Sequence, residues 1–364
     1  MRKLRLLLVP VVLAALAAVV AGTANASDSN RSGAVYTLTN SPAGNAVAVF
    51  DRAQDGSLTP AGTFATGGNG TGAGLGSQGA LAISADGKLL FAVNAASNTI
   101  SELAISPQGV QLIATVPSGG THPISVAVNG NLVYALNDGG AGNISGFTAT
   151  NDGLTPLAGS TRALHAGAAG PAEVAFSPNG AFLVVTEKTS NTIDTFAVDG
   201  NGIAGAPAST SSAGTTPFGF TFDNAGQLLV SEAGTQSASS YTVDATGAHT
   251  ITGPVSDGGQ AGACWLISTN DGRFAYTANA GSATISGFSV AANGALALVN
   301  PVAASLGAGG HPLDLAVSGK GDFLYNLTDG HHAITGYAIA ADGSLTQVTV
   351  AGGLPAGAIG IVAS

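Results

Sequence analysis

A single cysteine, Cys264, in 364 residues rules out an internal disulfide, so the fold must rest on its apolar core. The lack of a cysteine pair also removes the usual basis for structural zinc, and no helical histidine motif replaces it. Charged residues are only 8% of the chain and cations are the scarcer sign, with 10 Lys and Arg against 20 Asp and Glu. Three of those cations, Arg2, Lys3 and Arg5, precede an apolar run from Leu6 to Gly22 and a small-x-small site at Ala24-Asn25-Ala26. Residues 1–26 therefore read as a secretory signal peptide with a mature chain from Ser27, a retained anchor being the alternative. Seven Lys and Arg then face 20 Asp and Glu, a formal charge of −13. So few cations exclude nucleic acid as a partner and disfavour strongly phosphorylated substrates. No later apolar run is long enough to span a membrane, because Gly, Asn, Asp and Ser interrupt each one.

Glycine is what the chain has in abundance, 54 residues, yet 45% of the sequence is hydrophobic, which argues for a packed core and against disorder. The glycines are also periodic. A turn glycine precedes a β-rich run in "DGKLLFAVN" (Gly87), "NGNLVYALN" (Gly130), "NGAFLVVTE" (Gly180), "AGQLLVSEA" (Gly226), "DGRFAYTAN" (Gly272) and "KGDFLYNLT" (Gly321), at intervals of 43 to 50 residues. That period fits a propeller blade, and each unit reads as four short antiparallel strands joined by x-Gly hairpin turns. "GAVYTLTN" at the N-terminal side begins at a second strand, whereas "PAGAIGIVAS" supplies only a first. The expected fold is all-β: one seven-bladed propeller over residues 27–364, with the seventh blade built from both ends, so that no sheet edge is left at the closure.

Seven residues past each turn glycine stand Asn40, Asn94, Asn137, Glu187, Asn279 and Thr328, with Glu232 in the matching place. Asparagine there has a plain role in starting turns. Glutamate does not, and Glu187 and Glu232 are half of the four glutamates in the chain. The start of the inner strand gives a second column: His122-Pro123, Gly170-Pro171, Thr216-Pro217 and His311-Pro312, followed two residues past the proline position by Glu173, Trp265 and Asp314 in three units. His122, His311, Glu173, Asp314, Glu187 and Glu232 are expected to converge on one mouth of the channel. Carboxylates crowded there would have raised pKa values suited to general-base work. Glutamate and asparagine oxygens would also suit Ca²⁺ or Mg²⁺, although no metal site is assigned. The glycine-rich stretch Gly67–Gly79 lacks the Lys-Ser/Thr ending of a phosphate loop and reads as a flexible loop between blades. Cys264, with no evident base, reads as a structural thiol.

Three stretches, "GPAEVAFSPNGAFLVVTEKTSNTIDTFAVDGNG", "PFGFTFDNAGQLLVSEAG" and "HPLDLAVSGKGDFLYNLTDG", resemble the seven-bladed lactonase-type propellers, the family of 6-phosphogluconolactonase and carboxymuconate cyclase. The resemblance implies a lactonase-like carboxylic ester hydrolase. Where the family shows Gly-Pro-Arg-His this chain has Gly170-Pro171-Ala172-Glu173, and where it shows Asn-Glu this chain has Thr186-Glu187, so the glutamate is kept and the arginine and histidine are not. His122 resembles the family's histidine in the preceding blade. The expectation is an exported monomer opening a neutral lactone, with Glu187 as general base, His122 or His311 as proton donor, and Glu232, Glu173, Asp314, Asn137, Asn279 and Trp265 holding the substrate. A non-catalytic extracellular propeller that binds a ligand or protein is the alternative.

Overall fold

The computed structural model describes residues 31–150, 152–165 and 170–364; the expected leader, residues 1–26, lies outside the described residues. Seven antiparallel sheets form a ring, and each begins with an inner strand. In chain order these are Leu81–Ile83, Pro123–Asn129, Pro171–Phe176, Pro217–Phe222, Ala263–Ser268, Pro312–Val317 and Ile359–Ala363, which number the blades one to seven. The third blade shows the pattern: Pro171–Phe176, Phe182–Glu187, Thr192–Val198 and Ala204–Ser211, each paired to the next. In the second blade the outermost position is divided between Gly153–Pro156 and Arg162–Ala163, both paired to Asn143–Thr150. The aligned turn glycines justify their spacing, since Gly87, Gly130, Gly180, Gly226, Gly272 and Gly321 all have φ between +59° and +82°.

Closure of the ring is as expected. Arg31–Leu38 pairs on one side with Ala46–Ala53 and on the other with Ile359–Ala363, so both ends of the chain share the seventh blade. Arg52 reinforces this join by donating from Nη2 to the carbonyls of Ser32 at 2.7 Å and Ser364 at 2.9 Å.

Apolar side chains fill the spaces between neighbouring sheets, the largest cluster running from the fifth blade through the seventh. A recurrent device braces some of these joints. Tyr134, Tyr276 and Tyr325 each lie over a glycine of the next strand (Gly146, Gly287, Gly336), where a Cβ would meet the ring. Their hydroxyls then reach into the following blade, to the carbonyls of Gly202, Gly343 and Gly56 at 2.8–2.9 Å. At Gly146 and Gly336 the glycine is a space requirement, whereas at Gly287 a Cβ would make ordinary contact with the ring; in all three the hydroxyl satisfies a turn carbonyl that packing would otherwise strand.

Candidate active site at the channel mouth

The second strands run outward to one face of the ring, and alternation decides which of their last residues look into the mouth. Glu187, Glu232, Asn137 and Asn279 do not: all four are 0% exposed and turned into their blades. Here the structure corrects the expectation that the glutamates emerge at the rim. Glu232 accepts hydrogen bonds from Tyr241 Oη at 3.0 Å and Ser237 Oγ at 3.2 Å in its own blade and from Ser212 Oγ at 2.8 Å, just past the third blade's outer strand. Asn279 donates to Thr284 and Ser286, and Asn137 to the Ser118 carbonyl. Glu187 accepts from Ser190 Oγ at 2.7 Å and from the His165 N–H at 3.3 Å.

The residues at the mouth stand one position further along. Asp138, Lys188 and Asp329 are partly exposed, and their backbone N–H groups donate to the carbonyls of His122, Gly170 and His311 at the starts of the inner strands. A one-residue offset reverses the side of a strand, so counting to the last strand residue selected the buried face. His122 and His311 do lie at the rim. Both have left-handed backbones, φ +55° and +46°, at a position that Gly170 and Gly262 fill in other blades. Side chains held there oppose the backbone preference at a cost of about 1–2 kcal/mol. His122→Gly is therefore expected to raise stability by about 1 kcal/mol in urea unfolding; a loss would show that imidazole packing outweighs the backbone. His122 Nδ1 stands 3.8 Å from Asp138 Oδ2.

Gly67–Gly79 is not a plain connecting loop, because its end plugs the channel. Gln78, 7% exposed, crosses the axis: its N–H donates to the Ala172 carbonyl at 3.0 Å, and its Nε2 donates to the carbonyls of Phe220 at 3.1 Å and Leu266 at 2.9 Å. Its Oε1 accepts from Leu266 N–H at 3.0 Å. One side chain thereby ties blades three, four and five. Two carboxyls flank it. Glu173 accepts from Gln78 Nε2 at 3.3 Å and from Phe220 N–H at 2.6 Å, and Asp314 accepts from Gly79 N–H at 3.2 Å and Leu315 N–H at 2.9 Å. Burial pushes both upward, Asp314 to about 7 and Glu173 well above the usual carboxylate range, against the lowering effect of those N–H donors.

Above the plug, Trp265 packs against Phe218 with ring centroids 5.1 Å apart and donates from Nε1 to the Ser77 carbonyl at 2.9 Å. Lys188 Nζ lies 4.9 Å from the centroid of the Phe218 ring and donates to the Gly76 carbonyl. Burial depresses the Lys188 pKa; at this strand end the glutamate faces inward and the lysine holds the plug. Cys264 nearby is pushed up to about 11 by burial, which keeps its thiol protonated and unreactive. Between plug and rim lies a cavity of about 160 Å³, with Leu75, Trp265 and Leu313 among its apolar walls and His311 and Asp314 as its titratable side chains. A second cavity of about 310 Å³ occupies the channel below Gln78 and also touches Glu173 and Asp314. Among the described residues no three His, Cys, Asp or Glu side chains gather as a metal-ligand set.

Of the expected site, the structure brings His311, Asp314 and Trp265 together at one cavity and puts Glu173 just beneath. His122 stands apart with Asp138. Sequence reasoning missed Gln78 and Lys188. Gln78 precedes the inner strand Leu81–Ile83 where other blades carry Pro123, Pro171, Pro217 and Pro312, and a lone amide among prolines was the available signal.

Comparison with known proteins agrees with this architecture. A structure described as a candidate 6-phosphogluconolactonase from Bacteroides uniformis has a TM-score of 0.72 at 22% identity, over 90% of this chain and 98% of its own. A Lactobacillus plantarum protein gives 0.72 at 21%, over 92% and 99%. The Pseudomonas aeruginosa periplasmic gluconolactonase PpgL gives 0.70 at 18%, over 90% and 98%. These identities carry the fold alone, and no curated protein matches in sequence. The family model described as "Lactonase, 7-bladed beta-propeller" matches residues 41–153 and 156–249, more than half of the sequence, and the chain belongs to that lactonase propeller family.

Proposed function

We propose that this protein is an exported lactonase-type hydrolase that opens a small neutral lactone or cyclic ester in the mouth cavity. The observation that carries the reading is that a carboxyl with a pKa of about 7, Asp314, and an imidazole, His311, line one small apolar-walled cavity. A general base works best when its pKa lies near the operating pH. Asp314 takes a proton from water as that water attacks the lactone carbonyl. The tetrahedral intermediate collapses by breaking the ring C–O bond, and His311 protonates the departing alkoxide. The base role expected of Glu187 thus moves to Asp314, because Glu187 has no open face.

Two features support a small, uncharged substrate. At about 160 Å³ the cavity is well below the ~300 Å³ at which pockets for drug-sized ligands begin. Lys188, the cation at this mouth, spends its ammonium on the Gly76 carbonyl and the Phe218 ring. Export is supported by the leader-like residues 1–26.

The full burial of Glu187 and Glu232 favours a second reading, a propeller that binds a ligand at this mouth without turnover. Hydrolysis of a panel of neutral and acidic lactones, with Ca²⁺ and with chelator, decides between them. Turnover that prefers neutral lactones supports the hydrolase. Binding of a lactone without turnover supports the second reading, and a chelator effect would require a metal role that the described residues do not provide.

A further inference from the structure

Among the described residues, Asp314 alone lines both channel cavities, the one of about 160 Å³ under the mouth and the one of about 310 Å³ below Gln78. The plug divides them: Leu75 to Ser77 wall the upper cavity, and Gln78 and Gly79 wall the lower. Asp314 stands beside that divide. Its Oδ2 accepts from the Gly79 N–H at 3.2 Å and its Oδ1 from the Leu315 N–H at 2.9 Å, and both donors belong to the wall of the lower cavity. A carboxylate offers about four acceptor sites, so two N–H bonds leave room for water.

The cavities differ in what they admit. Leu75, Trp265 and Leu313 give the upper one apolar walls, and a small lactone held there against His311 fills it. Solvent is then shut out from that side. The lower cavity follows the inner strands away from the mouth, past Ala82 and Ala175 to Ile83, Val128 and Phe176 at or next to the strand ends, and these five residues are partly exposed. It thus opens toward the far face of the ring, with room for several waters. Each turnover consumes one water and leaves on Asp314 a proton that must depart before the next.

We propose that the lower channel is the water entrance and proton exit of the hydrolase: the lactone enters at the mouth, whereas water reaches Asp314, and its proton leaves, through the far face. The inference rests on the hydrolase reading of Asp314. One water O–H bond breaks as its oxygen bonds to the lactone carbonyl carbon, and the proton passes to the Asp314 carboxylate. The ring C–O bond then breaks, and the alkoxide takes a proton from the His311 imidazolium. Asp314 returns its proton to the water below, and His311 regains one from solvent at the mouth once the product has left.

Filling the lower channel tests this. Ala82→Leu and Ala175→Leu enlarge its wall from the first and third blades without touching the upper cavity, and their separate strands keep the test open if one variant misfolds. Each is expected to lower kcat by about tenfold or more with KM within about twofold, since the lactone's own route is unchanged. Ala82→Ser and Ala175→Ser leave the channel open and should turn over as wild type does. A second readout needs no turnover: in ¹³C NMR without substrate, displacing water from the lower channel should move the Asp314 titration upward by about one pH unit or more. Asp314→Asn, assayed in parallel, separates the two readings. Wild-type turnover in that variant defeats the hydrolase reading itself. An inactive Asp314→Asn beside filled variants of wild-type kcat, or an Asp314 titration that does not move in them, overturns the channel proposal alone.

Discussion

Asp314→Asn is expected to cut kcat for lactone opening by about 10²–10⁴-fold, the usual contribution of a positioned general base. It should also make the protein more stable than wild type at pH 8. The two effects share one cause. Asp314 is buried and titrates at about 7, whereas an unfolded chain releases the same proton near 3.9. Between those values the native state holds a proton that the unfolded state has lost, so wild-type stability falls as pH rises from about 4 to about 7. The full difference is on the order of 4 kcal/mol at pH 8, and asparagine at this position does not incur it. Urea midpoints at pH 5 and pH 8, set beside the pH profile of kcat/KM, check both halves. A variant that turns over at the wild-type rate removes Asp314 from the chemistry, and one that gains no stability at pH 8 removes its raised pKa.

Gln78→Ala is expected to be the most destabilising change at the mouth. It strands the Leu266 N–H, the Leu266 and Phe220 carbonyls and one oxygen of Glu173 in the channel. Each buried polar group left without a partner costs about 1–3 kcal/mol, so the sum reaches several kcal/mol even where water enters. A second readout follows the plug itself. Trp265 is the chain's one tryptophan and donates to the Ser77 carbonyl, so its emission should shift to the red as Ser77 withdraws. A variant with wild-type stability and emission would show that the plug is held by Lys188 and Asp314 without Gln78. Gly219→Ala approaches the same contact from the other side, because a Cβ at Gly219 would overlap Gln78 Oε1.

The fold was legible because its signals are local and repeated. A turn glycine with positive φ recurs in six of the seven blades, and the split seventh blade follows from a unit that begins at its second strand and an end that supplies only a first. The site was half legible, for a reason that strand geometry explains. His311, Asp314 and Trp265 sit at the start of inner strands, where position along the strand suffices to place them. Glu187 and Glu232 needed the facing as well, and a strand shows opposite faces at successive residues. Gln78 stood out in the sequence only as an amide among prolines, and its role was beyond reach, since it depends on Phe220 and Leu266, 142 and 188 residues away. A long-range convergence of that kind leaves no periodic trace.

The tyrosine struts also bear on temperature. They brace the second blade to the third, the fifth to the sixth and the sixth to the seventh. Between the third and fourth blades Val184 packs in an apolar cluster with Phe220, Leu228 and Val230, and the polar tie from Thr186 to the Phe218 carbonyl lies at the inner strand. Apolar contact loses strength on cooling, whereas a tyrosine–carbonyl bond does not depend on that driving force. The outermost strands of this joint add only one hydrogen bond, from Ala248 N–H to Thr210 Oγ1 at 3.3 Å, so chilling should loosen its apolar part ahead of the joints that a tyrosine spans.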